Sequence, residues 1–134
     1  GIAASGTTPY VVGGVRRAGD EGLLTACITC NEQSLLSEAA QIPIVAVVGP
    51  EFVTGSTRMK AATAQKMILN MISTATMIRL GRIKGNKMYD MQLTNAKLVD
   101  RGTRMIVEAT GEDYESARSA LLKAGSVRSA LEGK

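Results

Sequence analysis

The sequence predicts an α/β fold, a parallel sheet packed between helices, with a second part made of helices alone. Two observations support this prediction. Over the first half of the 134 residues, apolar runs of strand length alternate with segments of helical spacing. The runs at residues 23–30 and 42–48 are almost continuously apolar, which is typical of strands covered on both faces. Right-handed crossovers would then place the intervening helices on the two faces of the sheet.

The first half begins with small apolar residues at positions 1–4, interpreted as the end of a strand, and a polar turn at 5–8. Pro9 suits a first helical turn, and the apolar spacing continues that helix to Ala18, before Gly19 and Gly22 end it. A short helix is predicted over 32–40, with Asn31 as its N-cap, between the strands at 23–30 and 42–48.

A long helix is predicted from about residue 57 to residue 80, because apolar residues recur there three and four positions apart. Further apolar residues lie on its opposite side, which predicts burial against more than one neighbour. Helices over 91–109, with a break near Gly102, and from Tyr114 follow, and Ser126 is expected to cap a last one. We therefore predict an α/β part over 1–80 and an all-helical extension without strands over 81–134.

The opening string "GIAASG" has the character of a strand that is already leaving the sheet. An independent domain rarely begins at such a point. We therefore expect the chain to be a segment of a longer protein, or one whose other half is supplied elsewhere.

Composition narrows the class of protein. About 45% of the residues are hydrophobic, yet no apolar run approaches the roughly 20 residues that cross a bilayer. No signal peptide is visible, so we expect a soluble cytoplasmic protein without a membrane partner. The net charge is +4, but the basic residues are largely scattered and match no nucleic-acid motif, so nucleic acid is not an expected partner.

Cys27 and Cys30 form a CxxC string, which can indicate a redox pair or half of a zinc site. The chain has no histidine and no second CxxC, and a redox pair belongs at a helix start rather than a strand end. The favoured interpretation is a pair of small buried residues, and no metal ligand is predicted.

The first polar turn, "ASGTTP", has the composition of an anion site. Its hydroxyls are donors, its glycine allows close approach of a ligand, and the following helix presents free N–H groups. The alternative is an ordinary N-cap. The candidate binding residues are Ser5, Gly6, Thr7 and Thr8.

The second polar turn, "TGSTRMK", repeats this composition before the long helix. Thr54 or Ser56 is expected to cap the helix, which leaves surplus hydroxyls. Arg58 and Lys60 are about 200° apart around a helix axis, so they are not expected to share one ligand oxygen. The alternative is a capped helix with two solvated cations. The candidates are Thr54, Gly55, Ser56, Thr57, Arg58 and Lys60.

The string "GPEFVTGSTRMKAATAQKMILNMISTATMIRLG" closely resembles the signature of the N-acetylmuramic acid 6-phosphate etherases, which the glucokinase regulatory protein shares. "GIAASGTTPYVVGGV", "CNEQS", "GNKMYDMQLTNAKLVDR" and "EATG" resemble further blocks of the etherases, so the resemblance covers about residues 1–111.

The resemblance implies a sugar isomerase (SIS) fold, a flavodoxin-like sheet that binds phosphosugars, of which residues 1–80 would be the second half. It also implies a helical C-terminal extension, a homodimer and no cofactor. In that family "SGxTP" holds the sugar phosphate, which corresponds here to Ser5, Gly6, Thr7 and Thr8. The family usually has Arg at position 7. Thr7 is therefore expected either to weaken a contact made there or to point away from the ligand.

The implied reaction is cleavage of the lactyl ether of N-acetylmuramic acid 6-phosphate in cell-wall recycling. The family's two catalytic glutamates lie upstream of "GIAASG", so no catalytic residue is predicted in this chain. Glu51 is expected to be a structural or dimer-contact carboxylate. The alternatives are a regulatory phosphosugar-binding module without chemistry, and a folding or dimerisation unit whose polar turns are only caps.

Overall fold

The computed structural model describes residues 1–133, which belong to two compact units. The first unit is Gly1–Ile72 and the second begins at Ser73. The helix that contains this division, α3 (Lys60–Arg79), has residues in both units.

The first unit contains the predicted parallel sheet. Strand β1 (Ala26–Thr29) pairs in parallel with β2 (Ile42–Val45), with their first residues opposite each other. On the other side of β1, Ile2 forms a parallel bridge with Ile28. Residues 1–4 therefore run beside β1 as a short edge segment, and β1 is central. The alternation of parallel strands and helices confirms the α/β prediction.

Helices α1 (Pro9–Asp20) and α2 (Leu35–Ala39) precede and follow β1. Their buried side chains form one core with a residue of β1; its members are Val12, Val15, Cys27, Leu36 and Ala40. The predicted cap of α2 was wrong, because Ser34 and not Asn31 is its N-cap. The Ser34 Oγ accepts the N–H of Ser37 at 3.1 Å, while the Asn31 side chain contacts the first polar turn instead.

Helix α3 begins at Lys60 rather than residue 57, and its apolar surface is largely uncovered. Ala61 is its buried residue, whereas Met67, Met71 and Ile78 are 55%, 60% and 56% exposed. The described residues therefore do not themselves cover this helix. Its predicted burial against another helix or a subunit stays a prediction. Apolar residues at helical spacing show that a helix surface favours burial against another element. They do not show that this element belongs to the same chain.

The second unit is mainly helical, with α4 (Ala96–Thr110), α5 (Tyr114–Ala124) and α6 (Val127–Glu132). It also contains an antiparallel hairpin of β3 (Ile83–Lys84) and β4 (Lys87–Met88), so the expectation of no strands was wrong. These strands have two residues each and carry no alternating apolar pattern. Their signal is the two-residue turn, in which Gly85 adopts a φ of 61°.

The core of the second unit explains why α4 continues through Gly102. A Cβ on Gly102 would lie 2.8 Å from Leu121 Cδ2 and 3.2 Å from Val127 Cγ2. The glycine therefore allows α4 to pack closely on α5 and α6, and the predicted break is wrong. The buried side chains of this core are Tyr89, Ile106, Ala117, Leu121, Val127 and Ala130.

Across residues 1–133, no helix has both the length and the hydropathy of a membrane span.

Candidate functional site

The two residues after β1 contact the first polar turn and the first turn of α3. Asn31 Nδ2 donates a hydrogen bond to the main-chain oxygen of Ser5 at 3.3 Å. Cys30 Sγ lies 4.0 Å from the main-chain oxygen of Ala61, in the first turn of α3. Ligands of parallel sheets bind at this end of the strands. The first polar turn and the start of α3 thus both contact residues at the end of β1. The convergence of the two polar turns on one ligand stays a prediction.

The first polar turn presents hydroxyls to solvent. Ser5 Oγ accepts hydrogen bonds from the Thr7 N–H at 3.3 Å and from Thr7 Oγ1 at 3.1 Å, and both residues are exposed. Thr8 occupies the N-cap position of α1, but its side chain makes no capping hydrogen bond. The ordinary N-cap alternative therefore does not describe Thr8, and the start of α1 stays open to an anion.

Gly6 differs from its neighbours because it is buried and has a positive φ of 68°. A Cβ at this position would lie 2.3 Å from Ser34 Oγ and 2.8 Å from Thr29 Oγ1. The packing of the turn against the start of α2 thus requires a residue without a side chain at position 6, whatever ligand the turn binds. A ligand contact by the Gly6 backbone stays a prediction.

The second polar turn lines a cleft of about 440 Å³ together with the start of α3; its lining residues are Gly55, Ser56, Thr57, Arg58 and Ala62. Gly55 adopts a φ of 82°, and the Ser56 N–H donates to the Val53 carbonyl oxygen at 3.1 Å. Thr54 is exposed beside this turn. Within residues 1–133, the hydroxyls of residues 54, 56 and 57 make no hydrogen bond, which leaves them available to a ligand.

The cap of α3 comes from Glu51, not from Thr54 or Ser56 as predicted. Its two carboxylate oxygens accept the N–H of Lys60 at 3.1 and 3.0 Å, and Oε1 also accepts the N–H of Ala61 at 3.0 Å. These backbone hydrogen bonds hold the pKa of the Glu51 carboxyl below its ordinary value. Sequence reasoning missed this role because Glu51 lies too far before the helix for any capping pattern.

Arg58 and Lys60 are both exposed, and among the described residues neither takes part in an ion pair. Arg58 lines the cleft, whereas Lys60 does not. Arg58 is thus the cation beside the hydroxyls of the turn. That the two cations do not share a ligand oxygen stays a prediction.

A larger cavity of about 900 Å³ lies elsewhere in the first unit, along α1 and the edge segment. Ile2, Tyr10, Gly13 and Leu24 are among its lining residues, and none of the predicted binding residues contributes to it. Size alone would favour this cavity. Its lining lacks clustered hydroxyl donors, so the chemistry favours the strand-end site.

The two cysteines are free thiols in different environments. Cys27 is buried in the first core, as predicted for a small structural residue, and Cys30 is half-buried. Burial raises the pKa of the Cys30 thiol, and the negative charge of Glu51 raises it further. No group of three or more potential metal-ligating histidine, cysteine or acidic side chains is found in the described part of the chain.

The curated relatives described next share one name. The chain is 63% identical over 132 residues to the N-acetylmuramic acid 6-phosphate etherase of Bacteroides thetaiotaomicron. This match covers 98% of this chain and 48% of that protein. The etherase of Pectobacterium atrosepticum is 56% identical to the chain, over 90% of this chain and 40% of that protein. The etherase of Mycolicibacterium smegmatis is 53% identical, over 92% of this chain and 42% of that protein. No protein-family model matches the chain.

These relatives confirm the resemblance that the sequence motifs predict, and they extend it to nearly the whole chain. The chain spans about half the length of the curated relatives it matches.

Proposed function

We propose that this chain is part of an N-acetylmuramic acid 6-phosphate etherase with a sugar isomerase fold. The observation that carries the proposal is the 63% identity to a protein of that name over 98% of this chain. The site geometry supports it, because the first hydroxyl-bearing turn and the start of α3 both contact the end of β1, where parallel sheets bind their ligands.

The proposed reaction is a net hydrolysis. A base removes the proton next to the open-chain aldehyde of the sugar, and D-lactate leaves from the neighbouring carbon to give an unsaturated aldehyde. Water then adds to that carbon, and the proton returns. The products are N-acetylglucosamine 6-phosphate and D-lactate, which assigns the complete protein to cell-wall recycling in the cytoplasm.

Within this reaction, the chain's own residues bind the phosphate. Ser5, Thr7 and Thr8 offer hydroxyls beside the open start of α1, whose dipole favours an anion. Ser56 and Thr57 offer further donors in the cleft, and a salt link from Arg58 would supply positive charge.

The acid and base of this reaction are proposed to lie outside the chain. Glu51 is unsuited to the role, because backbone hydrogen bonds occupy its oxygens and lower its pKa. A general base works best with a pKa near the operating pH.

The exposed apolar residues of α3 support a homodimer, or cover by the remainder of the complete protein. Met67, Met71 and Ile78 are more than half exposed, and such a surface is usually covered.

A second candidate function is a regulatory module that binds a phosphosugar without chemistry. The observation that favours it is that the described hydroxyl and cationic groups can bind a phosphate but include no free acid–base pair. The two functions differ in whether the bound sugar loses lactate.

The test is lactate release from N-acetylmuramic acid 6-phosphate by the complete protein that contains these residues. We expect turnover, and we expect Ser5→Ala with Thr7→Ala to raise KM while the exposed control Ser119→Ala leaves it unchanged. Residues 1–134 alone are expected to release none. Binding of N-acetylglucosamine 6-phosphate without any lactate release would favour the regulatory module and contradict the etherase.

A further inference from the structure

We infer that Glu51 is a positioning residue, which closes the loop of residues 52–59 and so holds its hydroxyls in place for the phosphate. This inference rests on the proposed function, because the loop carries Thr54, Ser56, Thr57 and Arg58. It concerns a residue that is not among those lining the cleft.

The geometry is that of a clamp across the loop. Glu51 precedes the loop, and the N–H groups of Lys60 and Ala61 follow it. Both carboxylate oxygens reach Lys60 N, at 3.1 and 3.0 Å, and Oε1 reaches Ala61 N at 3.0 Å. Hydrogen bonds to an ionised acceptor are stronger than neutral ones, and the positive end of α3 adds to them.

The far end of the clamp is fixed, whereas the loop itself is poorly packed. Ala61 is only 1% exposed, so its N–H is held by a buried residue. Within the loop, Phe52, Val53 and Met59 are 96%, 62% and 70% exposed. Side-chain packing therefore contributes little to the loop conformation, and the Glu51 hydrogen bonds join its two ends.

The clamp also determines which groups are left for a phosphate. Glu51 accepts the N–H groups of Lys60 and Ala61, two of the four that the first turn of α3 leaves without helical partners. A phosphate bound beside this turn therefore depends more strongly on the side chains of the loop, which the clamp positions. The start of α1 has no such side-chain cap.

The experiment compares Glu51→Gln, Glu51→Ala and the control Glu38→Gln in the complete protein. Glu38 is an exposed carboxylate on α2, so its variant removes the same charge away from the loop. We expect Glu51→Ala to raise KM about tenfold with a much smaller change in kcat, since a lost hydrogen bond to a charged group has that order of effect. Glu51→Gln keeps an acceptor oxygen and should partly restore KM.

A second readout does not depend on activity. In the complete protein, amide hydrogen exchange at Lys60 and Ala61 should become faster in Glu51→Ala and stay near the native rate in the control. If Glu51→Ala does not fold, the Gln variant, which has nearly the same shape, carries the test.

The two proposals fail in different ways. Absence of turnover by the native complete protein contradicts the etherase, while the exchange measurement still reports on the clamp. Native turnover with an unchanged KM in both Glu51 variants overturns the inference. So does a native exchange rate at Lys60 and Ala61 in Glu51→Ala.

Discussion

The side chain of Ser34 occupies the space that a Cβ on Gly6 would need: that atom would lie 2.3 Å from both Cβ and Oγ of Ser34. Ser34 is buried and caps α2, and the Gly6 carbonyl oxygen accepts the N–H of Leu36 at 3.0 Å. The first polar turn is therefore fixed against the start of α2. Gly6 in this way determines where Ser5 and Thr7 present their hydroxyls.

The first prediction follows from this contact. Gly6→Ala should lower the free energy of unfolding by at least about 2 kcal/mol, because it combines a strained positive φ with overpacking. The control is Gly22→Ala, which has a similar φ of 78° but no atom within 4 Å of the added Cβ. Urea unfolding of the chain measures both, and equal losses would show that Ser34 is not the cause.

The second prediction concerns glycines inside helices, for which opposite signs are expected. Gly14→Ala in α1 should stabilise the chain by up to about 1 kcal/mol, because alanine favours the helix and nothing lies within 4 Å. Gly102→Ala in α4 should instead destabilise it by about 1 to 2 kcal/mol, because its Cβ would meet buried Leu121.

Gly102→Ala combined with Leu121→Ala provides the control for that mechanism, since the smaller side chain removes the clash. The loss caused by Gly102→Ala should then shrink against a Leu121→Ala background, which leaves only the 3.2 Å contact with Val127 Cγ2. An undiminished loss would show that the contact with Leu121 is not its cause.

The third prediction concerns the ion pair of Arg128 and Asp90 in the second unit. Arg128 Nε and Nη2 donate to the two Asp90 oxygens at 2.9 and 3.1 Å, and Nη2 also donates to the Gly81 carbonyl oxygen at 2.6 Å. Arg128→Lys should lower the urea midpoint, because lysine lacks the paired donors that this geometry uses. Arg104→Lys is the control, since its pair with Asp100 is an exposed contact within one helix.

The same pair predicts a pH dependence. Hydrogen bonding to Arg128, with the charges of Arg128 and Arg82, lowers the pKa of Asp90 in the folded chain. The stabilisation is therefore present above the ordinary carboxyl pKa and is lost as the pH falls through the lowered one. The difference between native chain and Arg128→Lys should shrink over that acid range, and a constant difference would contradict the assignment.

The fourth prediction uses Cys30 to report on Glu51. Burial, and secondarily the charge of Glu51, raise the pKa of the Cys30 thiol, so its alkylation should accelerate only at a pH above that of an ordinary cysteine. Glu51→Gln should lower that pH midpoint in part, because burial remains. Mass spectrometry of the alkylated chain gives the rate at each pH.

Glu38→Gln serves as the control in this measurement, since it removes an exposed carboxylate of the same unit. An equal effect of Glu38→Gln and Glu51→Gln on the Cys30 midpoint would show that Glu51 has no special proximity to the thiol.

The sequence by itself determined the order of helices and strands in the first unit, the parallel pairing and the resemblance to the etherases. These rest on short-range signals: apolar period, turn residues and contiguous motifs. Ser126 as the cap of α6 is one example, because the cap and the N–H of Ser129 that it binds are neighbours in the chain.

Only the tertiary structure decided which group caps α3, why Gly6 and Gly102 are glycines, and how much of α3 is covered. Each of these depends on atoms that are distant in sequence, such as Glu51 and Ala61 or Gly102 and Leu121. A local sequence pattern shows which kind of contact a residue favours. The packing of the chain determines which distant residue makes that contact.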